Sequence, residues 1–205
     1  MRLERITPPV CVQCGTGVPG AFDLVALCAA CRSHPHLFEA ARAPWQYRGT
    51  GEELLRQFKY RGRWRIGTWL ARHMAMTAQA WLPLEDITAI IPVPLHWVKQ
   101  RLRGVNPAQE LAARVARILK KPCLTGALRR RRWTSSQTRL NWQQRQRNVH
   151  EAFTAQAARV RGETVLLIDD VLTSGATVNA CARALTQAGA RRVFVLAAAR
   201  TPHLR

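Results

Sequence analysis

The chain has 205 residues and is 47% hydrophobic, enough for one proper core with room for a small appendage. No apolar run approaches the roughly 18 residues that span a bilayer, and the start Met1-Arg2-Leu3-Glu4-Arg5 lacks the apolar stretch of a signal peptide, so no membrane span and a cytoplasmic location are expected. A formal charge of +20, from 32 basic and 12 acidic residues, sets up a positive field that attracts phosphorylated partners, small anions and nucleic acid alike. Only Lys59, Lys99, Lys120 and Lys121 are lysines, so arginine-biased codon usage is a competing source of part of that excess.

Four of the six cysteines, Cys11, Cys14, Cys28 and Cys31, crowd the segment from Pro8 to Arg32, which is rich in Gly and Pro and poor in periodic apolar residues. Burial alone cannot hold such a segment. Two Cys-x-x-Cys knuckles thirteen residues apart supply four thiolates, the tetrahedral set that Zn²⁺ prefers, and Gly15 follows the first knuckle where a tight turn is needed. A fourth thiolate leaves no open coordination position, so a zinc ion here is structural. A redox-active dithiol, or His34 or His36 among the ligands, is the alternative. Cys123 and Cys181 read as buried core thiols.

After a connector with a short strand around Trp45–Tyr47, helical patterns cover Glu52–Tyr60 and Ile66–Trp81, parted by the turn-forming Arg61-Gly62-Arg63. Strand and helix then alternate. Ile87–Val93 is a compact apolar strand, and Ala108–Leu119 is a helix with Ala108, Leu111, Ala112, Val115, Ala116 and Leu119 on one face. A short strand follows near Cys123–Leu128. Residues Arg129–His150 carry many Arg and Gln with few apolar anchors and read as an exposed excursion. Val165–Ile168 is a buried strand, Val178–Ala188 a helix with Val178, Cys181, Ala182 and Leu185 inward, and Val193–Ala198 another buried strand. Strands this continuously apolar, joined by helices, imply an α/β domain with a mainly parallel sheet covered on both faces.

The chemistry concentrates in Val165-Leu166-Leu167-Ile168-Asp169-Asp170-Val171-Leu172-Thr173-Ser174-Gly175-Ala176-Thr177. Two carboxylates stand at the carboxyl end of a central strand, where open α/β sheets place ligands. The Thr173, Ser174, Gly175, Ala176, Thr177 turn leads straight into a helix, so backbone N–H groups, hydroxyls and the positive helix end converge on a phosphate site. Paired acids would repel a bare phosphate, whereas a sugar diol donates hydrogen bonds to them. A ribose 5-phosphate satisfies both halves. No Gly-Lys-Ser/Thr or Gly-x-Gly-x-x-Gly supports a nucleoside-triphosphate loop or a dinucleotide fold.

The turn from Pro92 to Gly104 follows the first strand of the alternating part and offers Lys99, Arg101 and Arg103 as a cradle for a leaving pyrophosphate, with an ordinary basic surface loop as the plainer reading. The excursion carrying Arg145 is a candidate lid that excludes water. No residue stands out as a general base.

These motifs, together with Ile91-Pro92-Val93-Pro94-Leu95-His96, Arg101-Leu102-Arg103-Gly104-Val105-Asn106, the Thr134 to Gln137 spacing, and Arg145 with Asn148, Val149 and Phe153, resemble the type I phosphoribosyltransferases and, over nearly the whole chain, the ComF/GntX family. Val105 and Pro107 stand where that family usually shows Phe and Gln, and Ser174 where Thr is common. The resemblance implies that Asp169 and Asp170 accept hydrogen bonds from the ribose hydroxyls. It implies that Thr173 to Thr177 hold the 5-phosphate, and that Pro94, Lys99, Arg101, Arg103 and Gly104 form the pyrophosphate loop. Arg101, Arg103 and Arg145 become the catalytic candidates, and Mg²⁺ rides on the pyrophosphate.

The expected organisation is a zinc ribbon over residues 1–37, a connecting strand and helices over 38–84, and a phosphoribosyltransferase-like domain over 85–205. The expected function is binding of phosphoribosyl pyrophosphate or a related ribose phosphate, within the handling of single-stranded DNA that the resemblance associates with genetic competence, alongside competence or DNA-processing proteins. Active phosphoribosyl transfer to a base, nucleoside or amine unrelated to DNA is the alternative. The run Arg129-Arg130-Arg131-Arg132-Trp133, with Trp142 nearby, suits a basic groove with aromatic platforms for single strands, although tryptophans are more often packing residues.

Overall fold

A computed structural model describes residues 3–18, 26–61, 64–95, 104–130 and 152–202. Within them, a five-stranded parallel sheet is built around two nine-residue strands, β6 (Thr164–Leu172) and β7 (Arg192–Arg200). Strand β3 (Ala89–Pro92) flanks β6, and a single parallel bridge from Ile90 to Cys123 extends the sheet beyond it. On the far side, β1 (Ala40–Arg42) and β2 (Trp45–Gln46) run in succession along β7 as one interrupted edge strand.

The sequence of β6 explains why the sheet is buried on both faces. Val165 and Leu167 join one apolar cluster, whereas Leu166 and Ile168 join the other, and all four have no exposed surface. The same alternation sorts Val193, Val195 and Ala197 from Phe194, Leu196 and Ala198 on β7, as a pleated strand requires. One face is covered by helix α6 (Ala176–Gln187) and by the antiparallel pair β4 (Leu128–Arg130) and β5 (Phe153–Ala155). The other is covered by α2 (Thr50–Arg61), α3 (Trp64–Trp81) and α4 (Pro107–Leu119). Two short helices, α1 (Ala29–Ser33) and α5 (Ala157–Val160), complete the described elements.

Both helices expected between residues 52 and 81 form. Leu70, Met74 and Ala78 bury one face of α3, and Gly67 lets the Phe58 ring of α2 approach so closely that a methyl there would lie 2.8 Å from it. The face read on Ala108–Leu119 is buried from Ala108 to Ala116, with Leu119 partly covered. Cys181 is fully buried and Cys123 partly so. Trp45 is likewise a packing residue, stacked on Trp69 at 5.3 Å between ring centres. Trp133, Trp142 and most of the excursion lie outside the described residues; β4 takes in its first two residues, and β5, which pairs with β4, follows three residues after His150. Among the described residues no helix is long and apolar enough to cross a membrane.

Several elements depart from the sequence expectation. The short strand expected near Cys123–Leu128 reduces to the single bridge at Cys123 followed by a turn, with β4 beginning only at Leu128, and β5 and the two short helices were not expected. The central strand does not stop at Ile168 but continues to Leu172, because Val171 and Leu172 resume the apolar pattern and pair with Ala199 and Arg200. The edge strand β1 was not legible at all, since Ala40–Arg42 carries no apolar alternation and its extended form comes from pairing with β7.

The cysteine head is stitched to this edge. Ala41 N–H donates to the Gln13 carbonyl at 2.6 Å, and Arg42 Nη1 donates to the Val12 carbonyl at 2.9 Å. Gly15 has φ of 71°, and a Cβ on it would lie 2.3 Å from the Ala41 carbonyl oxygen. Gly15→Ala should therefore cost at least about 1–3 kcal/mol from the left-handed backbone alone. The lost contact with β1 adds to this, read as a lower urea midpoint with unchanged slope.

Candidate functional site

The Thr173–Thr177 turn, expected from the sequence to hold a phosphate, follows directly from β6. Thr173 is exposed, Ser174 half-buried, and Gly175 buried at the N-cap of α6 with φ of 79°. With no side chain on Gly175, no cap hydrogen bond is made from that position, and the Ser174 hydroxyl instead accepts from Ala176 N–H at 3.4 Å. The first N–H groups of a helix have no partners within it, so this turn presents donors and a positive helix end to one small space. Thr177 is half-buried in the same first turn.

Because β6 runs on past Ile168, the two acids are strand residues and leave the backbone on alternate sides. Asp170 points toward α2, where Lys59 Nζ meets its Oδ2 at 2.8 Å, both side chains being only 17% exposed. Asp169 lies on the α6 side, where its charge bears on buried Cys181. The carboxylates nevertheless remain close enough to act on one another. Burial raises the Asp169 carboxyl well above its ordinary range, and the Asp170 charge pushes it further. The Asp170 N–H, which donates to Asp169 Oδ1 at 2.9 Å, and the Lys59 ammonium pull the other way. Val171 N–H donates to Asp170 Oδ1 at 2.7 Å.

Beside this edge, Pro94 is half-buried just after β3, and Gly104 has φ of 76°. Asn106 ties together the described residues on either side of 96–103. Its Nδ2 donates to the Val93 carbonyl at 3.1 Å while its Oδ1 accepts from Ala108 N–H at 3.1 Å, capping α4. Pro107 occupies the first helical position, where a missing N–H costs nothing. Lys99, Arg101, Arg103 and Arg145 lie outside the described residues.

Cys11, Cys14, Cys28 and Cys31 come together with all four Sγ atoms within 4.8 Å of one another, a group able to hold a metal ion. The backbone prepares it: Cys14 N–H donates to Cys11 Sγ at 3.5 Å and Cys28 N–H at 3.4 Å. Hydrogen bonding from the Cys14 thiol pulls Cys11 down to about 3 and pushes Cys14 up, while burial pushes Cys31 up to about 12. Sharing of protons among crowded sulfurs is what an ion would replace. Neither His34 nor His36 joins this group.

Two residues stand at this edge that the sequence does not place there: Lys59, which no motif singles out, and His36, which reads only as an alternative metal ligand. Lys59 gives no local signal, since only the fold brings α2 to Asp170. His36 stacks on Phe38 at 4.6 Å, and its Cε1 lies 3.0 Å from where a Cβ on Gly175 would be. A cleft of about 720 Å³, lined in part by Arg5, Cys28, Gln46 and Arg200, opens between the cysteine head and the end of β7, away from the acid pair.

Comparison with known proteins fits this geometry. The phosphoribosyl transferase domain family matches residues 103–205, about half of the chain. A DNA utilization protein of Shigella flexneri, YhgH, is 30% identical over 203 residues, covering 98% of this chain and 88% of that protein. Competence protein F of Haemophilus influenzae is 32% identical over 152 residues, covering 72% of this chain and 66% of that protein.

The chain belongs to the ComF family.

A Bacillus subtilis glutamine phosphoribosylpyrophosphate amidotransferase structure is similar at a TM-score of 0.47 and 19% identity, covering 69% of this chain and 30% of that one. Within this ComF-family chain the fold is phosphoribosyltransferase-like, a mainly parallel sheet with helices on both faces and an N-terminal four-cysteine group.

The raised Asp169 carboxyl gives a stability prediction. Between the ordinary 3.8 and its higher folded value, the native state keeps a proton that the unfolded state has released, so stability falls as pH rises through that window. Asp169→Asn should match wild type near the lower end and gain on it as pH climbs. Urea midpoints across a pH series give the check, and an advantage that shrinks with rising pH would contradict it.

Proposed function

We propose that this protein binds phosphoribosyl pyrophosphate, or a related ribose 5-phosphate, at the end of β6 and acts in the uptake or handling of DNA. The single observation that carries the binding is the adjacency of the paired carboxylates of Asp169 and Asp170 and an N–H-rich turn at the carboxyl edge of a central parallel strand. Asp169 and Asp170 accept from the sugar hydroxyls, and Thr173 to Thr177 surround the 5-phosphate. Pro94, Lys99, Arg101, Arg103 and Gly104 take the pyrophosphate, with Arg101, Arg103 and Arg145 stabilising its charge if it departs. Lys59 holds Asp170 until a ligand arrives.

Mg²⁺ bound with the pyrophosphate would supply charge neutralisation, and Zn²⁺ held by the four cysteines would supply folding energy rather than catalysis. Residues 1–37 then act as the ribbon, 38–84 as its connection to the sheet, and 85–205 as the ligand-binding unit. Transfer of the phosphoribosyl group, by displacement at the anomeric carbon, is the reaction this arrangement suits, and the domain family supports it. The DNA role is supported by the names of the relatives, a competence protein and a DNA utilization protein, and by the charge of +20.

Calorimetry with phosphoribosyl pyrophosphate and Mg²⁺ tests the pocket. Hydrogen bonds to charged groups contribute about 1.5–3 kcal/mol each, so the Asp169→Asn/Asp170→Asn double variant should bind roughly 100-fold or more weakly. Equal binding by the two proteins refutes the assignment. Filter binding of single-stranded DNA over a salt series tests the second part. The logarithm of affinity should fall linearly with the logarithm of salt, and absence of binding at low salt removes direct DNA contact from the proposal.

A further inference from the structure

The loop that follows β6 is touched by a segment from the other end of the chain. His36 lies over Gly175, and the backbone that carries it is clamped from both sides. Toward the head, His36 N–H donates to Gln13 Oε1 at 3.1 Å and Gln13 Nε2 donates to the His36 carbonyl at 3.1 Å. Toward the sheet, Leu37 N–H donates to Asn179 Oδ1 at 2.6 Å, and Asn179 is a buried residue of α6, one turn after Gly175. The ring itself is set by its stack on Phe38, which is 1% exposed.

Gln13 is one of the two residues between Cys11 and Cys14. Its backbone carbonyl is also the acceptor for Ala41 N–H, so its side chain and main chain bond to opposite ends of the same connector. The conformation of the first cysteine knuckle is thus transmitted by hydrogen bonds of ordinary length, with no intervening loop, to the residue packed on the Thr173–Thr177 turn.

We propose that the first cysteine knuckle sets the phosphate loop through Gln13 and His36, so that metal at the four cysteines and a phosphoribosyl ligand at Thr173–Thr177 reinforce each other's binding. This rests on the reading that the turn takes the phosphate. His36 is a positioning residue: its ring fills the side of Gly175 where a Cβ would otherwise stand, and fixes a left-handed backbone that glycine alone leaves loose. A preorganised turn pays less ordering entropy when the ligand binds. Coupling of this kind must be reciprocal, and between distinct sites it commonly amounts to about 5- to 150-fold in affinity.

The test uses the full chain as zinc-loaded wild type, chelator-treated wild type, Gln13→Ala and His36→Ala. Two readouts are taken: calorimetric affinity for ribose 5-phosphate, and amide hydrogen exchange of residues 173–179 without ligand. Both variants should keep a full zinc complement, yet bind ribose 5-phosphate roughly tenfold more weakly and exchange faster at 173–179, with α4 unchanged. Zinc removal should weaken binding by a similar factor, and ribose 5-phosphate should slow zinc loss to a chelator. If wild type binds and the variants match it, the proposal is overturned whatever the exchange shows. If wild type itself fails to bind, the pocket reading falls instead, and exchange alone decides the strut: unchanged rates at 173–179 overturn it. Should Gln13→Ala fail to fold, His36→Ala gives the same comparison without touching the knuckle.

Discussion

Two adjacent carboxylates at the end of a buried strand are the constraint around which this protein is arranged. Removing a carboxylate from water is costly unless it finds donors or opposite charge, and two side by side add mutual repulsion. Lys59 meets half of that demand at 2.8 Å from Asp170, and the backbone N–H groups of Asp170 and Val171 meet more. Asp169 remains raised well above its ordinary value by burial and by the Asp170 charge, which is what the proposed reading, hydroxyl donors arriving from a sugar, draws on. Structural ion pairs usually satisfy both partners. Here the strain is concentrated on the one carboxyl that faces away from the lysine.

The sheet makes this placement possible. Because β6 and β7 pair in parallel from Thr164 to Leu172, interrupted only at Asp170, with both faces covered, the acids are held by strands instead of a loop. The acids diverge within this strand: Asp170 turns to Lys59 on α2 and Asp169 to the α6 side. Beyond them the alternation breaks, since Val171 packs against the cluster under α2–α4 and Leu172 joins the one under α6.

Much of this was legible in the sequence because it rests on local pattern. Four consecutive apolar residues before Asp169 announce a strand buried on two faces, and the spacing of the cysteines announces a group that the fold brings within 4.8 Å. The Ala108–Leu119 stripe names its own buried face. What escaped was contact between distant segments. Nothing near Lys59 hints at Asp170, and Ala40–Arg42 becomes a strand only by lying beside β7. His36 is instructive, since its nearness to the cysteines in sequence made it a candidate ligand, while the hydrogen bonds of its neighbours carry it to Gly175. Asn106 shows the same limit: the residue type reads as a helix cap, but its bond to Val93 does not follow from spacing.

A small four-cysteine head adds little apolar burial, so its retention on this sheet calls for a mechanical reason. The head makes hydrogen bonds to β1 through Gln13 and Val12, and Gly15 permits a backbone approach that no larger residue could make. Those contacts cover part of an edge strand that is short and interrupted, whose outer N–H and C=O groups would otherwise stand unpaired. Through the same residues the head reaches the connector that carries His36. A glycine with positive φ at a helix N-cap needs such outside support, because its own backbone has many alternatives to the conformation that points N–H groups inward. In the proposed coupling the cysteine head and the Thr173–Thr177 turn are two ends of one strut, and the connector between them is the part whose removal would loosen both.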